Sequence, residues 1–291
     1  MNKRVLGLWN MGEGCFHKLL SPNEAKAIIR HALDIGINTF DTAFSYKNAD
    51  NYLSSVIRER NLERTSFEII SKVMAVPTLE KKAETSLKRL STDYVDILLL
   101  HWPSDDESVY SSLKKLETIK KEGKAKEIGV SNFPPSLLEK VSRDFEINFH
   151  ERPLSLLWTK NWEIEKKLGI KTIAYSPLAM GILSKTRAQL EAIEDDRKTL
   201  EIYKAPSLFS LIECISELSE KHSVERSSIS YAFLESLNPE YIVQGASTKT
   251  QLEIIPAKLS EEDLGSLMQH ARKIDSECIS DNIFSHSYLP C

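Results

Sequence analysis

Eight short apolar runs, separated by segments with the spacing of amphipathic helices, constrain the fold of this chain more than any other feature. The runs cover residues 4–9, 39–41, 68–71, 95–100, 127–130, 146–149, 172–175 and 242–244. Helices are predicted between them at residues 22–33, capped by Ser21, and at 49–60, 78–90, 109–122, 135–143 and 163–168, with a last helical region at 208–237. Eight strands that alternate with helices favour a closed parallel (β/α)8 TIM barrel of the α/β class.

The chain length agrees with one barrel domain. The sequence has 291 residues, and α/β barrels of this size form a single domain. No linker or low-complexity stretch divides the chain, so we expect one domain over residues 1–291. The longest irregular stretch, residues 183–206, is a candidate loop at the ligand face that could cover a cofactor.

Charge and composition exclude several classes of function. The formal net charge is −4 and the pI is about 6.0, which gives no sign of a surface for nucleic acid or anionic membranes. The apolar residues 5–9 are too short for a signal core or a membrane span, so we expect a cytoplasmic protein. Cys15, Cys214, Cys278 and Cys291 are widely spaced, which predicts free thiols and neither a metal site nor a disulfide framework.

Three polar residues each close one of the apolar runs in the first third of the chain. They are Asp41, Lys72 and His101, and Tyr46 follows Asp41 by five residues. Residues just past parallel strands point into a shared mouth where ligands bind. Each residue alone would be assigned a structural role, such as a cap, a surface charge or a rim aromatic. Together they predict an active site.

The chemistry of these four side chains suits interconversion of a carbonyl and an alcohol. A buried Lys72, held charged by Asp41, is expected to lower the pKa of Tyr46, which could then exchange a proton near neutral pH. His101 could donate a hydrogen bond to an oxygen on the Tyr46 hydroxyl. Because no side chain can supply a hydride, a nicotinamide cofactor would have to bring it.

The chain resembles the aldo-keto reductase family between Leu6 and about Leu267. The resemblance depends on several stretches in the family's order: GINTFDTA at residues 36–43 with Tyr46, SKV at 71–73, DYVDILLLHWP at 93–103, GKA at 123–125, IGVSNF at 128–133, AYSPLA at 174–179 with GIL at 181–183, and GAS at 245–247. It implies an eightfold barrel that uses NADPH to reduce aldehydes or ketones. Tyr46 would be the general acid, tuned by Lys72 and Asp41, with His101 orienting the carbonyl.

The same resemblance assigns residues to the cofactor. Ser131 and Asn132 would hydrogen-bond the nicotinamide carboxamide, and Tyr175 would stack on the ring. Further cofactor-binding positions in the pattern are Ser176, Leu178, Gly245, Ser247, Thr248, Lys249 and Gln251. Backbone amides at a helix start, with a hydroxyl and the Lys249 cation nearby, would form a site for the 2′-phosphate. Because Thr248 stands where relatives often have a cation, NAD is the alternative to NADP.

Glu151 departs from the family pattern in the sixth strand, where relatives usually carry a glutamine that pairs with the carboxamide. A carboxylate accepts hydrogen bonds but donates none, and it would favour the positively charged oxidised nicotinamide. We therefore expect Glu151 to shift the enzyme towards oxidised cofactor, and so towards alcohol oxidation or a redox-neutral cycle with retained cofactor. The alternative is that Arg152 or another cation neutralises it.

Bulky residues at the mouth are expected to limit the substrate. Trp9, with Trp102 and either Trp158 or Trp162, could narrow the pocket, although packing is the alternative for each. The chain starts almost at its first strand, so the hairpin that closes the barrel bottom in many relatives is expected to be missing. The resemblance favours a monomer that acts on a small carbonyl or alcohol. A cofactor-binding redox sensor without catalysis is the second functional hypothesis.

Overall fold

The computed structural model describes residues 3–12 and 20–277 of the chain. Eight parallel strands follow one another around a closed barrel, and the last pairs with the first. The strands are β1 (Lys3–Gly7), β2 (Thr39–Asp41), β3 (Glu68–Val73), β4 (Val95–Leu100), β5 (Ala125–Ser131), β6 (Phe149–Pro153), β7 (Lys171–Tyr175) and β8 (Tyr241–Gly245). The predicted TIM barrel is confirmed.

Helices separate consecutive strands and surround the barrel. They are α1 (Trp9–Gly12), α2 (Pro22–Asp34), α3 (Ala49–Glu59), α4 (Leu79–Leu90), α5 (Asp106–Lys121), α6 (Pro135–Val141), α7 (Ile164–Leu168), α8 (Arg187–Glu191), α9 (Leu208–His222), α10 (Arg226–Ser236) and α11 (Glu261–Glu277). The predicted cap of α2 is confirmed, because the Ser21 hydroxyl accepts from the Glu24 amide and the Glu24 carboxylate accepts from the Ser21 amide. Within the described residues, no helix has the length and apolar character needed to cross a membrane.

Apolar side chains close the barrel below the mouth. One buried cluster fills the interior and comprises Val5, Ile70, Ile97, Leu99, Phe149, Ile173, Tyr241 and Val243. Two larger clusters pack the outer faces of the strands against the helices. Because the interior is filled, no ligand can pass through the barrel, and the polar residues of the predicted site lie at the carboxyl ends of the strands.

The sixth strand is the main error of the sequence interpretation. Residues 146–149 were expected to form it, but β6 covers Phe149–Pro153. Its buried polar residues concealed it: the carboxylate of Glu165 in α7 lies 2.7 Å from Nδ1 of His150 and 3.4 Å from Nη1 of Arg152. Because these polar groups have partners, they stay buried in a strand that apolar periodicity does not reveal.

Other predicted boundaries also change. Trp9 begins α1 instead of ending the first strand. The helical region at 208–237 is two helices, because Ser223 takes a left-handed conformation with φ of 51° after α9. The irregular stretch at 183–206 contains α8 and short 3-10 turns. Cys214 is a free thiol, whereas Cys15, Cys278 and Cys291 lie outside the described residues.

Candidate active site

A cavity of about 600 Å³ opens at the carboxyl ends of the strands. Most residues predicted for the site line it: Trp9, Asp41, Tyr46, His101, Trp102, Ser131, Asn132, Glu151, Tyr175, Ser176, Leu178, Gly245, Ser247 and Gln251. Lys72 lies buried behind Asp41, and Thr248 and Lys249 are exposed outside the lining. The volume is within the range of pockets for small ligands and cofactors.

The four predicted catalytic residues come together at one side of this cavity. Lys72 Nζ donates to Asp41 Oδ2 at 2.5 Å and to the Thr42 carbonyl at 3.1 Å. It lies 5.4 Å from the centre of the Tyr46 ring, and the Tyr46 and His101 rings meet edge to face at 5.9 Å. The ends of β2, β3 and β4 therefore place a phenol, an ammonium and an imidazole around one point.

Glu151 joins this group from β6. Its Oε2 lies 3.2 Å from Lys72 Nζ, so one ammonium faces two carboxyl groups in a buried site. Burial opposes the charge of Lys72, but Asp41 and Glu151 hold the pKa of its ammonium above the usual value. Burial and the charge of Asp41 raise the pKa of Glu151 to about 8. The Arg152 guanidinium contacts Glu165 and the carbonyls of Lys160 and Asn161, so the cation that faces Glu151 is Lys72, which it shares with Asp41.

The expected effect on Tyr46 is wrong. Burial raises the pKa of Tyr46 above its usual value of 10.0, and the opposing effect of Lys72 does not offset this increase. The charges of Asp41 and Glu151 act in the same direction as burial. The sequence interpretation placed one carboxylate beside Lys72, whereas the folded chain places two there. A second buried acid reduces the influence of the ammonium on the phenol.

Three polar side chains form the opposite wall. The Tyr175 hydroxyl donates to Asn132 Oδ1 at 2.6 Å, and Asn132 Nδ2 donates to the His101 carbonyl and to Ser131 Oγ, each at 3.0 Å. Asn132 takes a left-handed conformation with φ of 64°, which asparagine tolerates better than most residues. These hydrogen bonds fix the orientation of the Asn132 amide within a polar wall.

The far end of the cavity differs from the predicted anion site. Gln251 Oε1 accepts from the amides of Ser247 at 2.7 Å and of Thr248 at 3.2 Å, so its side chain already occupies these donors. The helical turn that follows is a 3-10 segment of three residues, Thr250–Leu252, too short for a helix-start anion site. The predicted amide cradle is therefore filled by the protein's own side chain.

Sequence reasoning missed several residues that line the cavity, namely Ser45, Met74, Glu225, Ser227 and Tyr231. Glu225 directly precedes α10, and Ser227 and Tyr231 lie within it, far along the chain from the strand ends used for prediction. Arg197 was also missed: its Nη1 donates at 3.1 Å to the carbonyl of Met180, which lines the cavity. The only signal in the sequence for this side of the cavity is the group of polar residues around the start of α10.

The tryptophans divide between two roles. Trp9 and Trp102 line the cavity, as expected. Trp158 packs in the core on the outer side of the barrel, and Trp162 packs against a cluster that contains Leu154 and Tyr231. The expectation that Trp158 or Trp162 narrows the pocket is therefore wrong, and packing explains both.

Two buried polar atoms on lining residues have no hydrogen-bond partner in the described structure, namely Asn10 Oδ1 and the Tyr231 hydroxyl. Asn10 is fixed by its amide nitrogen, which donates to the Ala246 carbonyl at 2.7 Å. Unpaired buried polar atoms are costly, so their presence in a cavity indicates that a ligand completes them. Their spread along the cavity, together with the polar wall at Asn132, fits a dinucleotide that carries a carboxamide.

Comparison with known proteins gives one consistent result. The profile of the Aldo/keto reductase family matches residues 5–271. The glyoxal reductase of Bacillus subtilis (strain 168) is 34% identical over 200 residues, which cover 65% of this chain and 70% of that protein. A probable aldo-keto reductase of Glycine max is 26% identical over 292 residues, covering 91% and 84% of the two chains. The solved glycerol dehydrogenase of Gluconobacter oxydans superposes with a TM-score of 0.79 at 20% identity and covers 96% of this chain and 94% of its own.

Proposed function

Because the chain belongs to the aldo/keto reductase family, it is an oxidoreductase, and we propose that it interconverts a small carbonyl compound and an alcohol with NADP(H). The observation that carries this proposal is the convergence of Tyr46, His101 and the buried Lys72–Asp41 pair at one side of the cavity. When bound, the nicotinamide supplies or accepts the hydride. NAD(H) is the alternative cofactor.

The proposed roles follow from the contacts of each side chain. Tyr46 gives its proton to the substrate oxygen in reduction and takes it back in oxidation. His101 orients that oxygen from the adjacent strand end. Lys72 holds positive charge behind the phenol, and this charge stabilises the phenolate that forms after proton transfer. Since the pKa of Tyr46 is raised in the protein alone, the phenol is protonated at neutral pH, which is the state that reduction requires.

The cofactor would lie along the rest of the cavity. We assign its carboxamide to Ser131, Asn132 and Glu151, and its ring face to Tyr175. The remaining assigned positions are Ser176, Leu178, Gly245, Ser247, Thr248, Lys249 and Gln251. Arg197, which contacts the Met180 carbonyl and pairs with Asp195, is a candidate cation for a phosphate. Binding of a 2′-phosphate would require Gln251 to release the two amides that it caps.

The substrate is proposed to be small. Trp9, Trp102 and Met74 line the cavity near the catalytic residues and limit its width. Glyoxal is a rational first substrate because a glyoxal reductase is among the relatives, and glycerol tests the opposite direction. Glu151 favours a second candidate, a redox-neutral enzyme or a redox sensor that retains its cofactor, because a carboxylate there holds the oxidised form.

The test separates catalysis from binding. Tyr46→Phe should reduce turnover by roughly 10²–10⁴-fold, the usual contribution of general acid catalysis, and leave the dissociation constant of the cofactor within about twofold. The matched control is Tyr110→Phe, which removes a hydroxyl that bonds Asp144 far from the cavity and should leave turnover unchanged. Cofactor binding without turnover in the wild type would favour the sensor. The proposal would be refuted if titrations detected by tryptophan fluorescence showed binding of neither NADP(H) nor NAD(H).

A further inference from the structure

Two acids and the ammonium of Lys72 are buried together at one wall of the cavity. Asp41 and Glu151 both lie within 3.2 Å of Lys72 Nζ, and the side chains of all three are at most 4% exposed. If both carboxyl groups were ionised, the cluster would carry a net negative charge with almost no water around it. Burial of an unbalanced charge is costly, so the cluster is expected to hold one additional proton.

The positions of the two acids agree with this charge balance. Asp41 Oδ2 and Glu151 Oε2 lie 2.5 Å and 3.2 Å from the same Lys72 Nζ. Because two carboxylates that share one buried site repel each other, one of the two is expected to keep its proton. The titratable groups that influence this pair come from three strands, with Tyr46 following β2, Lys72 on β3 and Tyr175 on β7. Lys72 is the only cation among them.

We propose that Asp41 and Glu151 share one proton, and that release of this proton makes the nicotinamide site prefer the oxidised cofactor over the reduced one. The proposal rests on the function proposed above, since it concerns the same cofactor. A permanently ionised Glu151 would give a preference for the oxidised cofactor that does not change with pH. The shared proton makes this preference depend on pH.

The protonation state of Glu151 changes what the site can bind. A protonated carboxyl group both donates and accepts, as a glutamine does, and it can pair with the carboxamide of either cofactor form. The ionised group only accepts and adds a negative charge beside the ring, which is positive in the oxidised form and neutral in the reduced form. The raised pKa of Glu151, about 8, places the change within the pH range of ordinary binding assays.

The experiment measures affinity and needs no turnover. Tryptophan fluorescence titrations with NADP⁺ and NADPH at about pH 6.5 and about pH 9.5 give the ratio of the two dissociation constants at each pH. Preference for the oxidised form should increase by about tenfold or more at the higher pH, because one unit of charge is added near the ring. Glu151→Gln should remove this pH dependence. Glu225→Gln, which changes another carboxylate lining the same cavity, should retain it.

The outcomes distinguish this proposal from the function itself. If the wild type binds neither form, the proposed function fails. If both forms bind and the ratio is the same at both pH values, or if Glu151→Gln keeps the wild-type dependence, the shared proton is refuted. Infrared difference spectra of the wild type test the proton without any variant. The carbonyl band of a buried protonated carboxyl group should be present at the lower pH and absent at the higher, and its absence at the lower pH would overturn the proposal.

Discussion

Replacing Lys72 by methionine should destabilise the protein by an amount that grows with pH. Lys72 is 1% exposed and balances two buried carboxyl groups. Without its charge, both Asp41 and Glu151 must be neutral in the folded state, so the two carboxyl groups of the folded variant hold one proton more than those of the wild type. Holding that proton on an aspartate with an unperturbed pKa of 3.8 costs about 1.4 kcal/mol for each pH unit above this value.

The sign and size of the effect follow from this linkage. The pKa of Asp41 is raised in the folded variant, so the stability of the variant falls as pH rises between the unfolded and the folded pKa. Relative to the wild type, the cost of Lys72→Met should be about 2 kcal/mol at about pH 5 and about 6 kcal/mol at about pH 8. The upper figure is near the usual cost of about 3–5 kcal/mol for breaking a buried ion pair.

Urea unfolding followed by tryptophan fluorescence at several pH values measures these differences. A cost that is independent of pH would refute the electrostatic reasoning and would indicate lost packing alone. Lys126→Met is the control: it removes a half-exposed lysine that contacts Asp96 and should cost less than about 1 kcal/mol at every pH. The double variant Lys72→Met with Asp41→Asn should lose the pH dependence, because the acid that takes up the proton is no longer present.

Two further predictions concern residues around the site. Gly12→Ala should have a larger effect on turnover than on the free energy of unfolding, because a methyl group there would overlap the backbone carbonyl of Tyr46 and displace the proposed acid. Parallel kinetic and unfolding measurements check this, and unchanged turnover would contradict it. Glu165→Ala should lower the free energy of unfolding by about 3–5 kcal/mol, since it leaves the buried His150 and Arg152 without their shared carboxylate; a loss below about 1 kcal/mol in urea unfolding would contradict this reasoning.

The sequence predicted the barrel well where local patterns and tertiary packing agree. The run at residues 95–100 is a strand because its apolar residues are buried in the barrel, and α2 starts at its capping box because Ser21 and Glu24 satisfy each other's amides. It failed at β6, where the buried residues are polar. Their partners come from another element, so no window along the sequence contains the information that buries them.

The site was predictable in position and less so in electrostatics. Asp41 ends β2, Lys72 is the last residue but one of β3 and His101 directly follows β4, so the apolar runs in the sequence reveal where these side chains converge. The raised pKa of Tyr46 was not predictable, because it depends on how far the folded chain removes the phenol from water and on a second acid from β6. The sequence also could not predict that Gln251 accepts a hydrogen bond from the Ser247 amide, since this contact depends on the side-chain conformation of a short turn.

The polar residues of β6 have a consequence for how insertions and deletions are tolerated. Glu151 faces the cavity, whereas His150 and Arg152 face α7, where Glu165 is held. A shift of one residue would turn Arg152 towards Lys72 and place Glu151 against Glu165, so two like charges would meet on each side of the strand. An apolar strand can slip at the cost of exposing some side chains, but this one would create buried repulsion on both faces. Charge complementarity, more than hydrophobic alternation, therefore fixes which residue of this strand reaches the ligand.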